Sequence, residues 1–202
     1  MLHRTAKAGL GPAYVAGFRW AAERGYAVVV EMDADGSHPP ERLPALLAAL
    51  TDADLVLGSR YVPGGSVHGW APHRLALSKL GNLYTRRVLR LPLADATGGF
   101  RVARVELVSR LPFDEVASQG YCFQVDWAWR AVRSGARVVE VPIAFSERTA
   151  GRSKMSGSIV GEALARVTWW GLLDRLADRL PGRVSRPVPG RARGGRQTEV
   201  LR

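Results

Sequence analysis

Apolar positions along the chain recur with two periods, and the alternation between them predicts the elements. Residues 28–32 form a short, nearly all-apolar run after Gly25, the signature of a buried parallel strand. Residues 54–58, DLVLG, form a second such strand. Residues 137–142 and 143–146 are strand-like and separated by Pro142. Helical spacing appears over residues 12–24, where Tyr14, Val15, Phe18 and Ala22 share one side, and over residues 43–50 and 121–133. Residues 74–91 place Leu80, Leu83, Tyr84, Val88 and Leu91 on one arc, with Lys79, Arg86 and Arg90 in a stripe elsewhere. Residues 159–180 form a last helix whose apolar arc changes direction at Trp169-Trp170-Gly171, so that its second half is free to face something other than the domain. Strands alternating with helices predict an α/β fold.

Composition narrows this picture. A chain of 202 residues can bury one core, and 47% hydrophobic with 23% charged residues is ordinary for a globular domain. The net charge is +11, and the last twenty residues carry six Arg and one Glu. That Pro-, Gly- and Arg-rich tail, residues 181–202, is expected to be disordered. The single Cys122 excludes an internal disulfide and fits a reducing compartment. No run of 18 apolar residues predicts a membrane-spanning helix, and MLHRTAKAGLG lacks the apolar centre of a signal peptide. The excess of Arg is spread along helices and the tail with no nucleic-acid-binding module, so nucleic acid is not an expected partner.

Candidate chemistry lies where strands end. The first strand runs into Asp33-Ala34-Asp35, then a Gly36-Ser37 turn and a helix begun by Pro39 and Pro40. Residues two apart on extended chain point the same way, so both carboxylates can face one side at a strand's carboxyl end. A hard divalent cation shared with substrate phosphates is the simplest use; two solvated acids in a turn is the plain alternative. The second strand delivers Arg60 ahead of the Gly-rich VPGGS. Arg74 and Ser78, at i and i+4, are helix neighbours. DATGGFR, residues 95–101, is a loop able to bring backbone close to a ligand. ERTAGRSKM, residues 147–155, reads as a basic lid over phosphates or as a solvated connection.

MDADGSHPPE, GSRYVPGGS, the Arg74 and Ser78 pair, DATGGFR, GYCFQVDW and VPIAFSERTAGRSKMS occur in one order from about residue 3 to about residue 173. Together they resemble the polyprenol-phosphate (dolichol-phosphate) mannose synthases, inverting family 2 glycosyltransferases of the GT-A fold. The resemblance implies mannose transfer from GDP-mannose to a polyprenyl phosphate. It implies that Asp33 and Asp35 hold Mg2+ or Mn2+, with Ser37 where many relatives have a Gln ligand. It places Arg60, Arg74 and Ser78 on the acceptor phosphate, Gln124 and Asp126 near the sugar, and Arg148 and Lys154 on the closing loop. It divides the chain into a glycosyltransferase domain over residues 1–155, a packing or interfacial helix over 156–180, and the tail.

Relatives begin with two further strands that build the nucleotide pocket. The resemblance therefore implies a GT-A domain that is N-terminally incomplete, with an exposed sheet edge. The alternatives left open are an inactive homologue that binds lipid phosphate or a partner, and a glucosyltransferase acting on the same acceptor. The expected location is the cytoplasmic face of the membrane, bound peripherally through the 74–91 and 159–180 helices or recruited by a separate membrane protein.

Overall fold

The computed structural model describes residue 3 and residues 9–113, 121–147 and 157–179. Its elements are α1 (Leu10–Glu23), β1 (Val28–Glu31), α2 (Leu43–Ala49), β2 (Leu55–Ser59), β3 (Ser66–Val67), α3 (Pro72–Val88), β4 (Arg101–Arg104), α4 (Val105–Arg110), α5 (Tyr121–Arg133), β5 (Val138–Pro142), β6 (Ala144–Phe145) and α6 (Gly157–Arg179). The main sheet has the order β1-β4-β2-β5, and β3 pairs with β6 in a two-stranded sheet beside it. β2 and β5 are parallel, while β4 runs antiparallel to both its neighbours.

β2 shows how the layers form. Alternate side chains point to opposite faces. Leu55 enters a core with Phe18, Leu107, Phe123 and Trp127 from α1, α4 and α5, whereas Val56 enters one with Leu46, Leu50, Phe100 and Ile143 on the α2 side. Leu57 joins a third group with Leu89, Leu93, Val125 and Val167, where α3, α5 and α6 meet. All three β2 side chains are fully buried, as the apolar run predicts.

β1 corrects the sequence reading. It is not a buried parallel strand but the edge of the described sheet, paired only with antiparallel β4. Val30 is exposed, and the charged residue of the run, Glu31, is the buried one at 2% exposure. β4 went unforeseen because Arg101 and Arg104 bracket only two apolar residues, Val102 and Ala103. Those two are fully buried between β1 and β2, and pairing on both sides supplies the stability that the short pattern does not advertise.

The 74–91 stripe is also redistributed. α3 ends at Val88, and Leu91 N–H bonds Arg86 C=O across a left-handed Arg90 (φ 52°), an end motif in which Gly is the usual residue. Arg90 therefore leaves the helical stripe and pairs with Asp178 on α6 at 2.8 Å. α6 is seated against α3 and α5 by Trp170 stacked on Trp129 (5.6 Å, 10°) and by a Tyr84–Thr168 hydroxyl contact of 2.6 Å. Gly171 allows the approach, since a Cβ there would lie 2.9 Å from Val88 O. The tryptophan pair splits at this point: Trp170 packs inward and Trp169 is 60% exposed. The tail and Leu180 lie outside the described residues.

Candidate active site

The chain leaving β1 is fixed by short-range bonds. Asp33 N–H donates to His38 Nδ1 at 3.2 Å, so that nitrogen is an acceptor and the ring proton sits on Nε2. His38 is buried between the Phe100 and Phe145 rings, and burial lowers its pKa, keeping it neutral. The charges of Asp33, Arg60, Asp35 and Asp95 all act on this ring, so the fold has gathered the ends of β1 and β2 into one neighbourhood. Sequence reasoning gave His38 no role beyond the turn; its neighbours come from β4 and β6.

Asp35 Oδ1 accepts from both the N–H and the hydroxyl of Ser37, a turn in which an Asp side chain organises the backbone two residues on. Ser37 is buried with its hydroxyl donated to Asp35, so it orients that carboxylate rather than presenting a free oxygen. The carboxylate of Asp33 makes no hydrogen bond or ion pair among the described residues. Gly99 closes over it: a Cβ there would stand 3.5 Å from Asp33 Oδ2 and 3.4 Å from His38 Cε1. The DATGGFR loop thus does approach the acidic turn closely. No group of three or more His, Cys, Asp or Glu that could hold a metal ion occurs among the described residues, so what Asp33 and Asp35 offer is a two-carboxylate donor set. It fits a hard cation such as Mg2+ or Mn2+ that takes its other ligands from phosphates and water.

Arg60 at the end of β2 is almost wholly buried and held in a fork by Asp95. Its Nε donates to Oδ2 and its Nη2 to Oδ1, both at 2.7 Å, and Nη2 also reaches Thr97 Oγ1 at 2.8 Å. Burial alone would raise the Asp95 pKa, but the charge and hydrogen bonds of Arg60 overcome it and hold the carboxyl below its usual range. The backbone N–H groups of Ala94 and Asp95 in turn donate to the carboxylate of Glu140 on β5. Arg101 clamps the same loop, donating to Gly98 O and Ala96 O at 2.9 Å each.

Arg74, in the first turn of α3, stands over the Trp70 ring at 4.0 Å, and the Arg60 guanidinium lies 5.6 Å from that ring. Ser78 Oγ accepts from Tyr61 OH at 2.7 Å. Arg60, Arg74 and Ser78 are therefore assembled around Trp70 and Tyr61. Trp70 was not singled out from sequence, where it is one aromatic in a glycine-rich turn. Arg74 also pairs with Glu147 at 3.1 Å, an exposed bridge of the kind worth about 0–1 kcal/mol.

Gln124 and Asp126 are not brought together. Gln124 donates to Glu31, whereas Asp126 accepts from Arg130, four residues on, at 2.7 Å. Positions two apart on a helix face different ways, and the two residues belong to separate clusters. Glu31 is the residue that sequence reasoning missed. Burial pushes its pKa up to about 7 against the opposing pull of Arg101 and Gln124, and burial lowers that of Arg101, its cross-strand partner, to about 10. Arg148 and Lys154 lie outside the described residues.

An α/β core with an acidic strand end near buried and half-buried arginines is the arrangement of a glycosyltransferase domain, and comparison with known proteins gives the family. The glycosyl transferase family 2 profile matches residues 1–111, and the chain belongs to that family. Within it, the chain belongs with the polyprenyl-phosphate mannose synthases. It is 57% identical over 175 residues to an undecaprenyl-phosphate mannosyltransferase of Micrococcus luteus, spanning 87% of this chain and 72% of that protein. It is 54% identical over 185 residues to a polyprenol monophosphomannose synthase of Mycolicibacterium smegmatis, spanning 91% and 69%. Among solved structures it resembles glucosyl-3-phosphoglycerate synthase of M. tuberculosis (TM-score 0.52, 20% identity, 87% of this chain and 58% of that one). It matches equally the complex of that enzyme with Mn2+, UDP and glucosyl-3-phosphoglycerate (TM-score 0.52, 20% identity, 86% and 57%). This likeness shows the GT-A fold, and the chain spans less than two thirds of those structures' length.

Proposed function

We propose that the chain transfers mannose from GDP-mannose to a polyprenyl phosphate, with inversion, using Mg2+ or Mn2+ held by Asp33 and Asp35. The observation that carries this reading is the meeting, around His38, of the Asp33 carboxylate, unpartnered among the described residues, with the Arg60 group at the end of β2. A cation at Asp33 and Asp35 would neutralise the donor diphosphate and stabilise it as it departs. The Mn2+-bound glucosyl-3-phosphoglycerate synthase supports a divalent ion in this fold.

The acceptor needs no strong base. A phosphate monoester has its second pKa near 6, so at neutral pH it is largely a dianion and already a nucleophile. It needs to be aligned with the anomeric carbon and relieved of repulsion from the donor. Arg74 supplies a charge held by an exposed ion pair and the Trp70 ring, Ser78 a hydroxyl, and Arg60 a cationic floor fixed by Asp95. Asp126 is bound to Arg130 and is not assigned as a base.

Arg74 gives the cleaner test of the acceptor site, because its loss disturbs no buried pair. Arg74→Ala is expected to raise the KM for polyprenyl phosphate about tenfold or more, the loss of one hydrogen bond to a charged group. The KM for GDP-mannose should stay within twofold of about its starting value on the same grounds. Steady-state kinetics with each substrate varied in turn decides the matter; a collapse in nucleotide affinity would mean the roles are reversed.

The acceptor resides in a bilayer, yet no described helix is long and apolar enough to cross one. Peripheral binding at the cytoplasmic face fits two exposed apolar helix faces. One is Trp169, Leu172, Leu173 and Leu176 on α6, and the other is Leu77 and Leu80 on α3. Trp favours the boundary between headgroups and acyl chains. Co-sedimentation with anionic vesicles should show binding that Trp169→Ser with Leu173→Ser reduces about tenfold, by loss of buried apolar area. Wild type remaining in the supernatant at low salt would instead favour recruitment by a membrane protein.

A further inference from the structure

Arg101 and Glu31 are buried charges that the transfer scheme leaves unused. They sit opposite each other in the β1–β4 pair. Glu31 is bonded to Gln124 of α5, and the Arg101 guanidinium lies 4.9 Å from the ring of Trp127 on the same helix. Arg101 Nη1, Glu31 Oε2 and Gln124 Oε1 are buried without a hydrogen-bond partner among the described residues. Apolar residues of similar volume are often as stable as a buried ion pair, or more so, and stability is therefore a poor reason for this one. What the pair does hold is position.

The two carbonyls that Arg101 takes, those of Ala96 and Gly98, lie between the points where the 95–101 loop meets the site. At one end of the loop Asp95 forks Arg60, the acceptor-side cation. At the other end Gly99 stands over Asp33, the donor-side carboxylate. Between them the loop lies directly on β2, where a Cβ on Gly98 would come 3.0 Å from the Gly58 carbonyl oxygen. With so little slack, a shift of the Ala96 and Gly98 carbonyls moves Asp95 and Gly99 together. Glu31 completes the link from the other side. It precedes Asp33 by two residues, so its charge holds Arg101 to the strand that leads into the acidic turn.

We propose that Arg101 is a positioning residue that fixes the donor-side carboxylate and the acceptor-side arginine relative to each other, with Glu31 as its anchor on β1. The role rests on the transferase reading above and adds the part that sets the spacing of its two halves. Neither half needs Arg101 for its own bonds: Asp33 keeps its N–H on His38, and Arg60 keeps its fork on Asp95. Each substrate therefore still binds when Arg101 is lost. The loss falls on alignment of the acceptor oxygen with the anomeric carbon, where a misplacement of about 1 Å costs on the order of a hundredfold in rate.

The test compares Arg101→Lys, Arg101→Met and Glu31→Gln in the full chain by melting temperature, by Mn2+ affinity from electron paramagnetic resonance, and by steady-state kinetics per folded molecule. Lysine keeps a charge opposite Glu31 but lacks the planar fork that takes two carbonyls. Arg101→Lys is expected to melt closer to wild type than Arg101→Met does, yet to lose kcat as Arg101→Met does, by about a hundredfold. Mn2+ affinity and the KM of each substrate should stay within about threefold of wild type, the pattern of an interaction realised in the transition state. Glu31→Gln is isosteric and leaves both carbonyl bonds in place; it should lower kcat about tenfold with the same unchanged KM values. Activity that recovers together with stability in Arg101→Lys would overturn the proposal and leave Arg101 a packing residue. A loss carried by KM or by Mn2+ affinity would overturn it as well, by placing the fault inside one half of the site. If neither Arg101 variant folds, Glu31→Gln decides, and an unchanged kcat overturns the proposal. Wild type that binds Mn2+ and transfers nothing would overturn the transferase reading, and the coupling with it.

Discussion

Asp33→Asn should abolish mannosyl transfer, lowering kcat/KM by about a thousandfold or more, in the range seen when a group aimed at developing charge is removed. The expectation follows from the state of the side chain. Its carboxylate is bonded to nothing among the described residues, so the fold does not depend on it. Asparagine is isosteric, and the backbone N–H bond to His38 is retained. A folded variant with unchanged melting temperature and no activity would therefore report the loss of a metal-facing charge alone. Asp35→Asn is a less pure experiment, because Asp35 Oδ1 also receives Ser37. Near-normal transfer by wild type in the presence of a strong chelator would contradict the metal assignment.

Asp95→Asn should be the most destabilising single change near the site. It removes the carboxylate that holds the buried Arg60 guanidinium in a fork, and breaking a buried pair from one side costs about 3–5 kcal/mol. For a chain of this size that is a fall in melting temperature on the order of 10 °C. The double replacement Arg60→Leu with Asp95→Leu removes both charges and should recover much of the stability, since an apolar pair of similar volume is often no worse. It should not recover use of the acceptor. Differential scanning calorimetry on the three variants, alongside acceptor KM, separates the structural share of Arg60 from its share in binding. Equal stability of Asp95→Asn and wild type would mean that the fork does not anchor Arg60.

Local signals accounted for what was legible in the sequence. α5 occupies residues 121–133 as its spacing predicts, and the acidic turn, the Arg60 strand end and the α3 pair Arg74 and Ser78 stand where the motifs put them. These features depend on residues close together in the chain. What escaped reading depends on partners far apart. Glu31 is buried because it meets Gln124, 93 residues away, and Arg101 across the strand pair, so a charged residue ends an apparently apolar run inside the protein. Asp95 appeared as part of a flexible loop, yet it fixes Arg60 from 35 residues away. Arg90 was assigned to a helical stripe because the pattern carries no sign of the left-handed turn that removes it. Trp169 and Trp170 are neighbours in sequence, and only the stack on Trp129 decides which of them faces inward.

The family places the chain among mannosyltransferases that act on lipid phosphate by kinship, and the proposed roles rest on Asp33 for the donor diphosphate and on Arg74, Arg60 and Ser78 for the phosphate monoester. The measurement that bears most directly on this account is transfer of labelled mannose from GDP-mannose to polyprenyl phosphate by the purified chain, followed by solvent extraction. The account predicts label in the organic phase only when both the lipid phosphate and Mg2+ or Mn2+ are present, and none with Asp33→Asn. Transfer of glucose from a glucose donor in its place, or a folded chain that binds lipid phosphate and transfers nothing, would contradict it.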